Sequence, residues 1–286
     1  MAEVETQNNL DFERKHEEDL RRIRDFRLMD DNFMSKVFED KPCAEFLLRI
    51  ILNRDDLKVK EVHGQHDLNN IQGRSVRLDI LAVDHENRAY NVEVQRSDSG
   101  AVAKRARYNS SLLDANLTRK GDAYDALNET YVIFITENDV LRGGLPIYHI
   151  NRIIEEMGKS FGDEAHIIYV NSQIKDDTAL GKLMHDFTCT NPDDMNYPVL
   201  AQRVRYFKED TKGVATMCRA FEEWQEECIQ KGVQQGIQSG ITQGEIIGTL
   251  KTYKKFSVSK EETLKNIITD FSLSEEDARN YMEKYW

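Results

Sequence analysis

No stretch of this sequence stays apolar long enough to cross a bilayer as a helix, so no membrane-spanning helix is expected. Its start, Met1-Ala2-Glu3-Val4-Glu5, is acidic where a secretory signal is basic and then apolar. The cysteines are few and scattered. Cys43, Cys189, Cys218 and Cys228 form no C-x-x-C pair, so neither a zinc ribbon nor a dithiol redox motif is present, and reduced thiols in a cytoplasmic protein are expected. His63 and His66 are too close together and too isolated to supply a zinc site, and His149 and His185 read as hydrogen-bonded structural histidines. The chain also lacks G-x-x-x-x-G-K-[ST], a strand-borne G-x-G-x-x-G, H-E-x-x-H and G-x-S-x-G, which sets aside the common nucleotide-binding, metalloprotease and serine-hydrolase frameworks. Cations are outnumbered, 39 against 51 acidic residues, for a net charge of −12. Long-range attraction to phosphate is therefore absent, and any nucleic-acid binding has to come from a local basic surface.

What is present begins with two short alternating runs, Val76-Arg77-Leu78-Asp79-Ile80 and Tyr90-Asn91-Val92-Glu93-Val94-Gln95. Each alternates apolar and polar residues about a carboxylate, the pattern of a half-buried strand. The polar His85-Glu86-Asn87-Arg88 between them is turn-like, so the runs are expected to pair as a hairpin. Pairing would hold Asp79 beside Glu93 and Gln95, the latter two on one face because strand side chains repeat every second residue. Two carboxylates fixed on rigid strands suit a hard, oxygen-seeking cation such as Mg²⁺. The alternative is an acidic pair that simply faces water.

Around the hairpin the periodicity gives an α/β domain. Helical spacing runs from about Asn32 to Leu52, with Pro42 interrupting it or opening its second half, and again from about Ala101 to Leu117. Strands are expected at Lys58–Leu68, Thr130–Ile135 and Ala165–Val170, and helices at Asn151–Met157 and Asp177–Asp186. The apolar run Thr130–Ile135 suits a central strand covered on both faces. In Lys104-Arg105-Ala106-Arg107-Tyr108, Arg105 and Tyr108 lie three apart and share one side of a helix.

Beyond Met195 the pattern is helical only. Gly232, Gly236, Gly240, Gly244 and Gly248 recur every fourth residue, a smooth stripe that permits close approach of a second helix. Each costs about 1 kcal/mol of helix propensity relative to Ala, so such a helix needs packing to persist, and self-association is the expected source; a flexible linker is the alternative. Ser259 and Ser274 can cap two short helices in the last segment.

From Met29 to about Cys228 the chain resembles the PD-(D/E)XK nuclease family transposases. The resemblance is carried by Phe33-Met34-Ser35-Lys36-Val37-Phe38, Glu45-Phe46-Leu47-Leu48-Arg49, Arg77-Leu78-Asp79-Ile80, Tyr90-Asn91-Val92-Glu93-Val94-Gln95, Arg105-Ala106-Arg107-Tyr108, Leu145-Pro146-Ile147-Tyr148, Leu183-Met184-His185-Asp186-Phe187 and Arg203-Val204-Arg205-Tyr206-Phe207, in that order. It implies a restriction-endonuclease-like three-layer α/β/α core with a mixed sheet, followed by an all-helical C-terminal extension. The boundaries expected are a charged extension at 1–28, a nuclease core at 29–194, a helical extension at 195–256 with the glycine repeat at about 231–249, and a small helical element at 257–286.

The resemblance further implies a Mg²⁺-dependent DNA endonuclease, with Mn²⁺ a possible substitute, linked to recombination or mobile elements. Asp79 and Glu93 would ligate the metal, joined by the backbone carbonyl of Val94, and Glu45 on the first helical stretch is a candidate third carboxylate. The wider superfamily carries a Lys where this chain has Gln95. A neutral amide can orient water but cannot supply the ammonium's charge, which leaves more of the work to the metal. Arg105, Tyr108 and Lys104 would contact the DNA phosphates, and a homodimer would form through the C-terminal helices. The competing expectations are a catalytically silent interaction module on the same fold and an RNA-cleaving nuclease.

Overall fold

The computed structural model describes residues 14, 17, 18, 20–70 and 73–286; most of the charged extension expected at 1–28 lies outside the described residues. The chain forms two compact units, one reaching to Ala220 and the other running from Phe221 to Trp286.

In the first unit, α1 (Asp31–Phe38) and α2 (Lys41–Leu52) are separate helices. Pro42 sits in the first turn of α2, where its missing N–H breaks no helical bond. Asn53, at φ +50°, ends that helix in the left-handed region that Asn tolerates. The sheet follows with β1 (Val59–Leu68), β2 (Val76–Asp84) and β3 (Ala89–Gln95), then α3 (Ala103–Leu117), β4 (Thr130–Thr136), β5 (Ile147–Ile150) and, after a small hairpin of β6 (Ile153–Ile154) and β7 (Lys159–Ser160), β8 (Ala165–Asn171). Strand order is β1-β2-β3-β4-β8-β5. The β1-β2-β3 meander and the β5–β8 pair are antiparallel, whereas β3, β4 and β8 run parallel.

Helices α1, α2, α4 (Ala179–Thr188) and α5 (Pro198–Glu209) cover one face, packing Phe33, Phe38, Leu47 and Phe187 onto Val92, Val94, Ile133 and Ile168. Helix α3 covers the other face, against Leu81, Val132, Phe134 and Tyr169. This is a three-layer α/β/α sandwich on a mixed sheet. The largely apolar β4, buried along almost its whole length, lies at the centre of the sheet between β3 and β8.

The β2–β3 turn is built by its own residues. Asp84, buried, accepts the backbone N–H groups of Glu86 at 2.8 Å and Arg88 at 2.9 Å and the Tyr90 hydroxyl at 2.8 Å. One helix expected from the sequence is absent. Asn151–Met157 forms β6 and a turn instead, because β5 folds back along β8 and leaves Ile153 and Met157 exposed, without an apolar surface on which a helix could pack.

Helix α6 (Thr211–Lys255) carries the glycine repeat without a break. In the second unit its end packs with α7 (Lys260–Phe271) and α8 (Glu275–Tyr285) through Ile246, Leu250, Ile267 and Ala278. Ser259 and Ser274 cap α7 and α8, accepting from the N–H groups of Glu262 at 3.2 Å and Asp277 at 3.1 Å. No helix among the described residues is long and apolar enough to cross a membrane.

Candidate active site

The register that pairs Ile80 with Val92 brings Asp79 opposite Glu93 one step further along, where the ladder ends. There the Asp79 side chain takes the place of a strand carbonyl: its Oδ2 accepts the Val94 N–H at 2.9 Å. On the other side, β1 departs from regular pairing at Gln65 (φ +47°) between its partners Gly64 and His66, at the level of Asp79. The carbonyl of Asp79 accepts instead from the buried Ser35 hydroxyl of α1 at 3.1 Å. Asp79 is thus held at both its backbone and its carboxylate.

Glu93 is fully buried at the far end of β3. Its Oε2 accepts from Arg105 Nη2 of α3 at 3.0 Å, whereas Oε1 has no partner among the described residues. The same guanidinium donates through Nη1 to Gln95 Oε1 at 3.3 Å and to the Gly100 carbonyl at 2.9 Å, and it lies over the Phe134 ring. Gln95 is two residues beyond Glu93 and points to the same face. A side chain at Gly100 would collide with the Gln95 amide, so this glycine leaves the space in which the amide lies.

Burial raises the Asp79 carboxyl well above its ordinary range, and the charges of Glu93 and Asp31 add to the rise. Burial also raises Glu93; the Arg105 guanidinium opposes the shift, and Asp31 again adds to it. Two acids raised above the ordinary carboxylate range, Glu93 fully buried with an orphaned oxygen and Asp79 half-buried beside it, form a donor set suited to a hard divalent cation.

Asp31 is the carboxylate that the sequence did not single out. It opens α1, whose N-cap Asp30 is tied to Arg96 at 2.9 Å and, through its other oxygen, to the Arg27 N–H at 2.8 Å. Acidic residues at a helix start are so ordinary that Asp30-Asp31 carried no signal of its own. Glu45 is not brought to the site. It accepts the Val59 N–H at 2.9 Å and pairs with Arg49 at 2.6 Å and Lys58 at 3.4 Å. Val59 pairs with Asp84, five residues along β2 from Asp79, a separation of about 17 Å at 3.3 Å per residue.

Of the remaining expected residues, Val94 gives its N–H to Asp79 and lies within the stretch of β3 paired with β4. Lys104 is exposed at the start of α3. Tyr108 engages the protein itself. Its hydroxyl donates to the Arg74 carbonyl at 2.5 Å and accepts from Asn70 Nδ2 at 3.0 Å, pinning the segment before β2.

One other group of metal-ligating types occurs among the described residues, His185, Asp186 and Cys189. Asp186 is already engaged on both oxygens: Oδ1 accepts the Asn196 N–H at 2.7 Å and Oδ2 the Tyr197 N–H at 2.9 Å, which fixes the entry to α5. His185 sits between Asp186 and Asn196, in keeping with a structural histidine.

A search of curated proteins and a search of solved structures give no significant match. A family model does match: residues 37–178, which contain Asp79, Glu93, Gln95 and Arg105, fit the PD-(D/E)XK nuclease family transposases. Nucleases of the PD-(D/E)XK kind generally use divalent metals. With its three-layer fold and paired carboxylates, the chain belongs to the PD-(D/E)XK nuclease family transposases.

Proposed function

We propose that the protein is a Mg²⁺-dependent endonuclease acting on DNA, with Asp79 and Glu93 as its metal ligands. The orphaned Oε1 of a fully buried Glu93, facing Asp79 across the strand pair, is the observation that supports this most strongly. The carbonyl of Val94 is the natural further ligand. A divalent cation held there supplies Lewis acidity, lowering the pKa of a water and offsetting negative charge on the phosphate.

The chain's own residues do the rest. Gln95 orients the attacking water through its amide, held in place by Arg105. Although the third position of the motif is neutral, Arg105 brings a cation to within hydrogen-bonding distance of both Glu93 and Gln95. Turned toward substrate, that guanidinium would bind the scissile phosphate in a fork that matches its oxygens. Lys104, exposed one residue before it, would meet a neighbouring phosphate, and Tyr108 would support the strand indirectly, through the segment it pins.

Cleavage of both DNA strands, as recombination or mobile-element movement needs, would be served by a homodimer. The glycine stripe of α6 lies beside Ile229, Val233, Ile237 and Ile241, all exposed and four apart, which supports pairing through this helix. Light scattering on wild type and Ile237→Asp reads that association; a monomeric wild type sinks it.

Plasmid cleavage by the purified protein with Mg²⁺, with Mn²⁺ and with EDTA, beside Asp79→Ala and Glu93→Ala, tests the activity. Metal-dependent nicking that both substitutions abolish supports the proposal. Cutting that survives both substitutions, or no cutting with either metal, rejects it and favours an interaction module on this fold.

A further inference from the structure

Between the start of β2 and the first half of α3 runs an open groove of about 720 Å³. Arg74 and Arg77 stand on one wall, Lys104, Arg105, Arg107 and Tyr108 on the other, and no acidic residue lines it among those described. In a chain where acids outnumber bases, such a concentration of one sign is not an average piece of surface.

The five cations are not equally engaged. Arg77 is paired with Asp67 at 2.9 Å and Arg105 with Glu93 at 3.0 Å. Arg74, Lys104 and Arg107 are exposed and make no ion pair among the described residues. Lys104, Arg107 and Tyr108, at i, i+3 and i+4, share one face of α3. Because the Tyr108 hydroxyl holds the Arg74 carbonyl, the opposite wall is fixed relative to that face. Free positive charge therefore stands on both sides of a groove whose walls are latched together.

From this we infer that the groove seats the sugar–phosphate backbone of a DNA duplex, with Arg74, Lys104 and Arg107 each taking a phosphate. Arg105 belongs both to the groove and to the Glu93 site, so a backbone lying in the groove passes directly to the carboxylates. Tyr108 has its hydroxyl committed to the opposite wall, and no other aromatic ring lines the groove, which points to backbone contact rather than base stacking. It also explains how a chain of net charge −12 holds nucleic acid: the binding charge is local and set apart from the acidic remainder. An acidic peptide would fit the same charges but would present no phosphodiester to Asp79 and Glu93, so this assignment rests on the nuclease reading above.

The test is the salt dependence of binding to a short DNA duplex in EDTA. It compares wild type, Arg74→Ala/Lys104→Ala/Arg107→Ala, and a control of equal charge loss outside the groove, Lys251→Ala/Lys260→Ala/Lys265→Ala. Each phosphate contact contributes about 0.9 to the slope of log K against log salt, so the groove variant should be shallower than wild type by about 2.7 and the control unchanged. Tyr108→Phe removes no charge but unlatches Arg74, and should lose about 0.9, one contact. Equal slopes for wild type and the groove variant overturn the groove, even if metal-dependent cleavage that needs Glu93 persists. Groove-dependent duplex binding with no cleavage under any metal keeps the groove and rejects the nuclease reading. Groove-dependent binding that favours single-stranded DNA or RNA over the duplex overturns the duplex as its occupant.

Discussion

Arg105 Nη2 lies 3.0 Å from Oε2 of the fully buried Glu93, while Oε1 of the same carboxylate has no partner among the described residues. One oxygen is neutralised from α3 and the other is left for something the protein does not itself supply. Removing the guanidinium should therefore matter most when no metal is present. Arg105→Ala should lose about 1–3 kcal/mol of stability in EDTA, the usual cost of stranding a buried charged acceptor, and recover part of it in Mg²⁺. Plasmid nicking should fall about a hundredfold, as when one preorganised donor to developing charge is deleted. Thermal melts with and without Mg²⁺ read the first effect; an equal loss in both conditions would contradict it.

The paired acids also give a pH dependence whose sign is fixed. Asp79 and Glu93 are both raised above ordinary carboxylates in the folded state. Between the ordinary and the raised values the folded protein holds protons that the unfolded chain has released. Their contribution to metal-free stability is complete in acid and is lost as pH rises through the raised values. Asp79→Asn, which keeps an acceptor for the Val94 N–H, should raise the metal-free Tm at about pH 8 and leave it nearly unchanged at about pH 4. A lower Tm for the variant at the higher pH would mean that the charge is compensated by the protein alone.

Gly100 controls a side chain rather than a backbone turn. A methyl group placed there meets the Gln95 amide, whose end can swing away without disturbing the fold. Gly100→Ala should leave stability within about 0.5 kcal/mol of wild type and reduce kcat, because the amide no longer sits against Arg105. Circular dichroism melts beside single-turnover cleavage separate the two effects, and unchanged cleavage would remove Gln95 from the mechanism.

Lys208 shows how the helical face is tied down away from the site. Its ammonium donates to the carbonyls of Phe26 at 2.6 Å, Arg24 at 2.8 Å and Thr190, beneath the Phe33 ring. Lys208→Met removes the shared donor of three carbonyls and should destabilise the core by about 2–3 kcal/mol without altering the metal requirement. Chemical denaturation measures the loss; a change below about 0.5 kcal/mol would show that water satisfies these carbonyls as well.

The sequence made the centre of the site legible because strands impose a period of two and the β2–β3 turn announces itself in His85-Glu86-Asn87-Arg88. Asp79, Glu93 and Gln95 follow from those two facts. Asp31 did not, since an acid in the first turn of a helix is the commonest way to meet the helix dipole and its distance to Asp79 depends on tertiary packing. Glu45 was misplaced for the same reason: its helix was found, but the end of the sheet it serves was not. Asn151–Met157 failed where apolar spacing looked helical yet no surface was available to bury it. Arg74 could be recognised only once Tyr108 had brought its segment against α3.

A divalent-metal centre built on Asp79 and Glu93 would be visible in anomalous diffraction from a Mn²⁺-soaked crystal. An anomalous peak should lie in contact with Asp79 and with the Glu93 oxygen that is now unpartnered, and should be absent from crystals of Glu93→Gln. No peak at these carboxylates, with the Arg105–Glu93 pair intact in the soaked crystal, would contradict such a centre.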